Sequence, residues 1–193
     1  IYAKDYDTKD VKNSNTGIIE INGSQSSAMA FVPKNLTATT TVFENEGKIL
    51  DNNSGSNNTG MFAKVAANNV LYTTKNSGTI TLGDSSALSN PSVGMYTNAS
   101  SVGTNPLINT GKITVGNNGI GMYGFEQDTT GDITAGNTGI GIYSQGGAVN
   151  IGSTGTTPKI TVGDTNATAV FTTGSGQTIT STNADYNIGD NSY

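Results

Sequence analysis

The stretch Asn109–Phe125, NTGKITVGNNGIGMYGF, decides how the chain reads. It returns almost at once as Thr129–Tyr143, TTGDITAGNTGIGIY. Looser copies are NSGTITLGDSS…VGMY, between Asn76 and Tyr96, and KITVGDTNATAVF, between Lys159 and Phe171. A strand–turn–strand unit repeated about every 20 to 35 residues is the signature of a solenoid. Each unit of such an array buries its apolar face only by stacking on its neighbours.

Six units are marked by a first glycine at Gly17, Gly47, Gly78, Gly111, Gly131 and Gly155. The strand that follows carries inward pairs: Ile19/Ile21, Ile80/Leu82, Ile113/Val115, Ile133/Ala135 and Ile160/Val162. A Gly-Asx corner comes next, at Gly83-Asp84, Gly116-Asn117, Gly136-Asn137 and Gly163-Asp164. Both residue types tolerate positive φ, so the corner is expected to be tight for that reason.

The second strand alternates through Thr59/Met61, Val93/Met95, Ile120/Met122, Ile140/Ile142 and Thr168/Val170. On its other face a small residue precedes an aromatic, as in Gly94/Tyr96 and Gly121/Tyr123, and the ring is expected to lie over the glycine. A third, less regular strand is read at Leu36–Phe43, Val70–Thr74, Leu107–Ile108, Ala148–Ile151 and Thr178–Thr182. None is visible between Tyr123 and Gly131, where the spacing shrinks to 20.

Three short strands per turn give an all-β right-handed parallel β-helix of six to seven coils. Like residues then lie over like, in ladders of Ile, of Thr (Thr81, Thr114, Thr134, Thr161), of Asn/Asp and of Tyr/Phe. Residues 1–193 read as one such segment cut from a longer array. Residues 1–14 read as the end of a preceding coil, and residues 183–193 as the start of a following one. The excursions Asp51–Asn58 and Ser85–Ser92 interrupt the repeat and are expected to project from corners.

Composition narrows the function. Only 33% of residues are hydrophobic and 12% charged, yet the apolar residues alternate, which separates this chain from charge-rich disordered ones. A net charge of −5 argues against binding a phosphate backbone, so no nucleic-acid partner is expected. With neither Cys nor His, thiol chemistry and histidine triads are out, which leaves carboxylates as the acid–base candidates. Glu126 and Asp128, with Asp132 just beyond, could form a cluster for sugar hydrolysis or Ca²⁺, or simply a solvated loop. The loop is the reading adopted, and no catalytic, cofactor or metal residue is assigned. An ice-binding face needs paired rows of Thr; Lys112, Asp132 and Lys159 break one of them.

The aromatic row Phe62, Tyr96, Tyr123, Tyr143 and Phe171 is the candidate ligand-contact surface. Such rings either stack on one another along the rod or receive a sugar ring or a protein partner.

The units NSGTITLGD, NTGKITVGNNGIGMYG and TTGDITAGNTGIGIYSQG resemble the passenger repeats of large bacterial type V autotransporters, in particular fusobacterial outer-membrane adhesins. The resemblance runs from about Asn15 to Tyr186. It implies a secreted passenger at the bacterial cell surface, anchored through a C-terminal membrane β-barrel outside this segment; from the residues themselves no enzymatic activity is expected. It also implies a stiff rod that displays binding loops, here expected at Asp51–Asn58 and Ser85–Ser92, for attachment to a surface protein or glycan of other bacteria or host cells. No binding residue carries over, because the shared motif is the structural repeat itself. Two other readings stay open: a carbohydrate-active β-helix lyase or hydrolase, and a spacer that binds nothing.

Overall fold

A computed structural model describes residues 1–4, 10–33, 42–52, 57–64, 72–100 and 106–193. It is all-β, a parallel β-solenoid built from three sheets of seven strands each. The first sheet stacks Tyr2–Lys4, Ser27–Val32, Thr59–Ala63, Val93–Thr97, Ile120–Gly124, Ile140–Ser144 and Thr168–Thr172. The second stacks Val11–Asn13, Val42–Asn45, Thr73–Asn76, Leu107–Asn109, Gln127–Thr129, Val149–Ile151 and Ile179–Ser181. The third stacks Ile18–Ile21, Lys48–Asp51, Thr79–Leu82, Lys112–Val115, Asp132–Ala135, Lys159–Val162 and Asp185–Ile188. The chain visits the three sheets in turn, and every neighbouring pair is parallel, as in Ile80↔Ile113 and Ile113↔Ile133. Seven rungs at about 4.8 Å give a rod about 30 Å long.

The core is a stack of identical layers. Ile49, Ile80, Ile113, Ile133 and Ile160 form one fully buried column from the third sheet. Met29, Met61, Met95, Met122 and Ile142 form another from the first. Full burial of each such side chain contributes about 2–3 kcal/mol. Coil upon coil, these columns merge into one cluster running the length of the rod.

Several local expectations need correction. A third strand does exist in the short repeat, at Gln127–Thr129, paired with Leu107–Asn109. The repeat is short because only Phe125 and Glu126 separate that strand from Ile120–Gly124. The strands expected at Leu36–Phe43 and Val70–Thr74 are Val42–Asn45 and Thr73–Asn76; residues 36–41 and 70–71 lie outside the described ones.

The corner glycines serve close approach rather than unusual φ. A Cβ on Gly116, Gly136 or Gly163 would run into the Asx residue of the coil before it, while the positive φ values fall later, at Asn118 (55°), Thr138 (58°) and Thr165 (66°). Gly155 is no corner at all. It sits in a projecting turn with φ +88° and open space around it, and Pro158 directly precedes the strand Lys159–Val162, as Gly131 precedes Asp132–Ala135.

Two asparagine systems hold the corners. At the exposed corner each Asx oxygen accepts the backbone N–H of the next coil: Asp84 from Asn117 (2.8 Å), Asn117 from Asn137 (2.9 Å), Asn137 from Asp164 (2.9 Å). At the end of the second sheet runs a buried ladder. Asn13 donates to Asn45, Asn45 to Asn76, and Asn76 to Asn109, each at 2.8 Å, and Asn109 donates to the Thr129 hydroxyl at 3.2 Å. Head-to-tail amides satisfy both ends of the Asn45, Asn76 and Asn109 side chains without water.

On the outer face of the second sheet, Glu44 lies in register between Lys12 and Lys75. Its carboxylate meets Lys75 Nζ at 3.0 Å and Lys12 Nζ at 3.1 Å, and it accepts a 3.0 Å hydrogen bond from the Ser77 hydroxyl. Burial pushes the carboxyl up, but the hydrogen bonds from Lys75, Lys12 and Ser77 outweigh it and hold the group below the usual carboxylate range.

Asn76→Ala strands the Asn45 amide and the Asn109 carbonyl together, and is expected to cost about 3 kcal/mol in urea denaturation. Asn76→Thr, which copies the Thr129 terminus of the ladder, should cost about half as much. Because Glu44 binds its proton less readily folded than unfolded, its stabilisation is present above the ordinary carboxylate pKa and fades as pH falls through the folded value. Glu44→Gln should therefore lower the denaturation midpoint at neutral pH, and the gap to the parent chain should close on acidification to about pH 3.

Candidate functional site

The five aromatic residues singled out from the sequence stand in one column on the outer face of the first sheet. Phe62 pairs with Tyr96, Tyr96 with Tyr123, Tyr123 with Tyr143, and Tyr143 with Phe171. Ring centroids lie 5.5, 5.1, 4.6 and 5.2 Å apart along the column, with interplanar angles from 21° to 60°. Stacking along the rod is thus what the rings do, while their outer parts stay half-exposed; Phe171 is the most open at 42%.

The expected partner of the rings is wrong in one respect. Gly60, Gly94, Gly121 and Gly141 do not lie beneath them. A methyl at Gly94 or Gly121 would come within 2.6 Å of Ile113 Cγ2 or Ile133 Cγ2, so these glycines face the core. The parallel register steps over them, pairing Val93 with Ile120 and then Met95 with Met122. Period-two alternation therefore breaks at each glycine. Val93, Ile120 and Ile140 emerge on the ring side and form their own buried cluster against Tyr96, Tyr123 and Tyr143. Placed on the core side, a side chain at the glycine would collide with the isoleucine column; a glycine removes the collision.

Beside this cluster lies a groove of about 470 Å³. Its floor is Ile120, Ile140 and Thr168, which follow one another in register along the rod. One wall is the ladder, at Tyr123, Tyr143 and Phe171. The other includes Leu88, Ser89 and Pro91, from the excursion before the strand Val93–Thr97, with Asn166 completing the lining. That excursion is pinned to the next coil. The Ser85 N–H and hydroxyl donate to the carbonyls of Asn117 and Asn118 (both 2.9 Å), and the Asn118 amide donates back to the Ser85 carbonyl at 3.0 Å.

Two of the carboxylates considered for chemistry, Asp128 and Asp132, sit on different sheets. Asp128 accepts from the Asn150 amide at 2.7 Å on the second sheet, whereas Asp132 accepts the Lys159 N–H at 2.9 Å at the start of the third. Among the described residues no group of three acidic side chains is placed to hold a metal ion. Of the Asp51–Asn58 excursion, residues 53–56 lie outside the described ones. The Thr column is in register as expected, Thr81↔Thr114↔Thr134↔Thr161, beside a row in which Thr79, Lys112 and Asp132 alternate in character.

Sequence reasoning missed the aliphatic floor and the Leu88–Pro91 wall. The signal for the floor was present: the residue before the glycine in VGMY, IGMY and IGIY is β-branched and aliphatic in three successive coils. Comparison with protein families, curated proteins and solved structures finds no match to this chain.

Tyr123 sits in the middle of the column. Burial raises its hydroxyl pKa above the ordinary value, and the nearby Tyr143 and Tyr96 add in the same direction. Its oxygen also accepts a 2.8 Å hydrogen bond from the Gln145 amide. Since the folded state holds this proton more tightly, its contribution to stability is complete below about pH 10 and declines as pH rises through the folded value. Ultraviolet tyrosinate titration should lose a late-titrating component in Tyr123→Phe, and that variant should lose less stability at alkaline pH than the parent chain.

Proposed function

We propose that the chain is a stiff rod segment of a bacterial cell-surface autotransporter passenger that presents its aromatic face for attachment to other bacteria or host cells. The observation that carries this reading is the unbroken parallel register of three sheets along one axis, with variation admitted only at corners. Such a stack transmits load from coil to coil through its ladders and offers proteases few loose strands. The repeat units resemble autotransporter passenger repeats, and a solenoid suits that role. Asp128 and Asp132 are held on different sheets, which supports display rather than a carboxylate site shared by those two. The whole protein, on this reading, is held at the outer membrane by a β-barrel, and the segment projects outward from it.

Beads coated with the purified chain should adhere to bacterial or host cells, and free chain should compete them off. Beads that stay free, while deletion of two whole coils leaves adhesion by the parent protein unchanged, would favour the spacer reading. Release of new reducing or unsaturated ends from acidic polysaccharides, abolished by Glu126→Gln or Asp128→Asn, would replace the adhesin reading with an enzymatic one.

A further inference from the structure

The groove beside the ladder draws its lining from several coils, and none of its ten lining residues is charged, although the chain carries a net −5. It offers no counter-charge to an acidic polysaccharide or a basic peptide, so charge matching selects a neutral occupant. Ring geometry selects further. Tyr123 is flanked by Tyr96 at 5.1 Å and Tyr143 at 4.6 Å, and Tyr143 in turn by Phe171 at 5.2 Å. Tyr123 and Tyr143 each have a ring on both sides along the column, which leaves their edges and hydroxyls for a ligand, whereas Phe171 has a ring neighbour on one side only.

The spacing of the floor supplies the third constraint. Ile120, Ile140 and Thr168 recur once per coil, at about 4.8 Å, so two coils span about 9.6 Å. A polyproline II helix rises about 3.1 Å per residue with three residues per turn, about 9.3 Å in all. Successive turns of such a helix laid along the rod would meet equivalent positions on alternate coils. Its carbonyls have no internal partners, and the Tyr143 hydroxyl, the Asn166 amide and the Ser89 and Thr168 hydroxyls can donate to them. Its rigidity also keeps the ordering cost of binding small.

We propose that this groove binds a proline-rich segment of a partner protein in the polyproline II conformation, lying along the rod axis. The assignment rests on the attachment reading, whose ligand class it names.

The test is titration of the chain with an end-blocked oligoproline, followed by tyrosine fluorescence, which reports cleanly because the chain has no Trp. An end-blocked Gly–Ser peptide and a neutral cello-oligosaccharide serve as comparisons. Saturable oligoproline binding is expected, weakened about tenfold or more by Ile140→Thr and by Tyr143→Ala. Both variants have precedents in the fold: Thr168 pairs with Ile140 in the next coil, and Ala30 pairs with Phe62 in the aromatic column. Urea midpoints confirm that they fold, and Glu44→Gln, on another sheet, should bind as the parent does. Equal binding of the Gly–Ser peptide, binding of the oligosaccharide in place of oligoproline, or indifference to both groove variants would overturn the proposal. If coated beads still adhere to cells while oligoproline fails to bind, the proline assignment falls and the attachment reading stands. Oligoproline binding with beads that stay free would remove the attachment reading and keep the groove.

Discussion

Successive coils of this chain meet backbone to backbone at their corners, and that contact leaves no room for a side chain. A Cβ on Gly47, Gly78, Gly111 or Gly131 would be driven into the carbonyl oxygen of the corner glycine in the coil before it. Glycine there is a requirement of distance, imposed by the rise of about 4.8 Å between parallel strands. Once that contact is fixed, the rest of each layer has little freedom. The isoleucines of the third sheet fall directly over one another, and the asparagines closing the second sheet come within hydrogen-bonding reach at 2.8 Å. A shift of register by one residue would turn the Ile column outward and break every amide link in the ladder.

The same rule explains why the surface beside the rings is apolar. A strand with strict alternation would put Val93, Ile120 and Ile140 into the interior alongside the methionines. The interior lacks space for them, because the isoleucine methyls of the third sheet already fill it opposite each glycine. The sequence meets this constraint by placing a glycine inward and sending the preceding aliphatic residue outward, where the next aromatic ring folds against it. Core packing and surface chemistry are thus set by one local break in the alternation, copied coil by coil.

Much of this was legible because repetition multiplies a weak signal. One Ile-x-Val pair says little, but the series Ile80, Ile113, Ile133 and Ile160 at matching distances from a Gly-Asx corner fixes strand, face and register together. The aromatic column was readable for the same reason. Legibility failed where a residue does something its type does not announce. Gln127 stands in a strand although it occupies a buried place taken by Leu107 and Val149 in adjacent coils, so that strand left no apolar trace. The strand Ser27–Val32 has Ala28 and Ala30 in place of the glycine and the aromatic, and the motif vanished with them. The buried asparagine ladder was hidden by composition, since Asn is common at turns throughout this chain. Only its constant place two residues before Gly47, Gly78 and Gly111 distinguishes it.

The groove arises from a departure from the repeat rather than from the repeat itself. At the exposed corner most coils turn in a few residues, Gly116–Gly119 or Gly136–Gly139, and leave the first sheet uncovered. Among the corners described throughout, one coil instead takes the longer path from Gly83 to Ser92. Its Ser85 is tied to Asn117 and Asn118 of the following coil, so the excess chain is carried forward over neighbouring coils instead of outward into solvent. Leu88 and Pro91 thereby stand across from Tyr123 and Tyr143, which belong to later coils than theirs. A perfect solenoid presents the same shallow face along its whole length and cannot locate a partner at one place. The anchored excursion from Gly83 to Ser92 breaks that translational symmetry, and it does so beside the stretch where the floor is aliphatic and the wall aromatic. The excursion thus marks one position along the rod, while the repeat sets the chemical character of the face beside it.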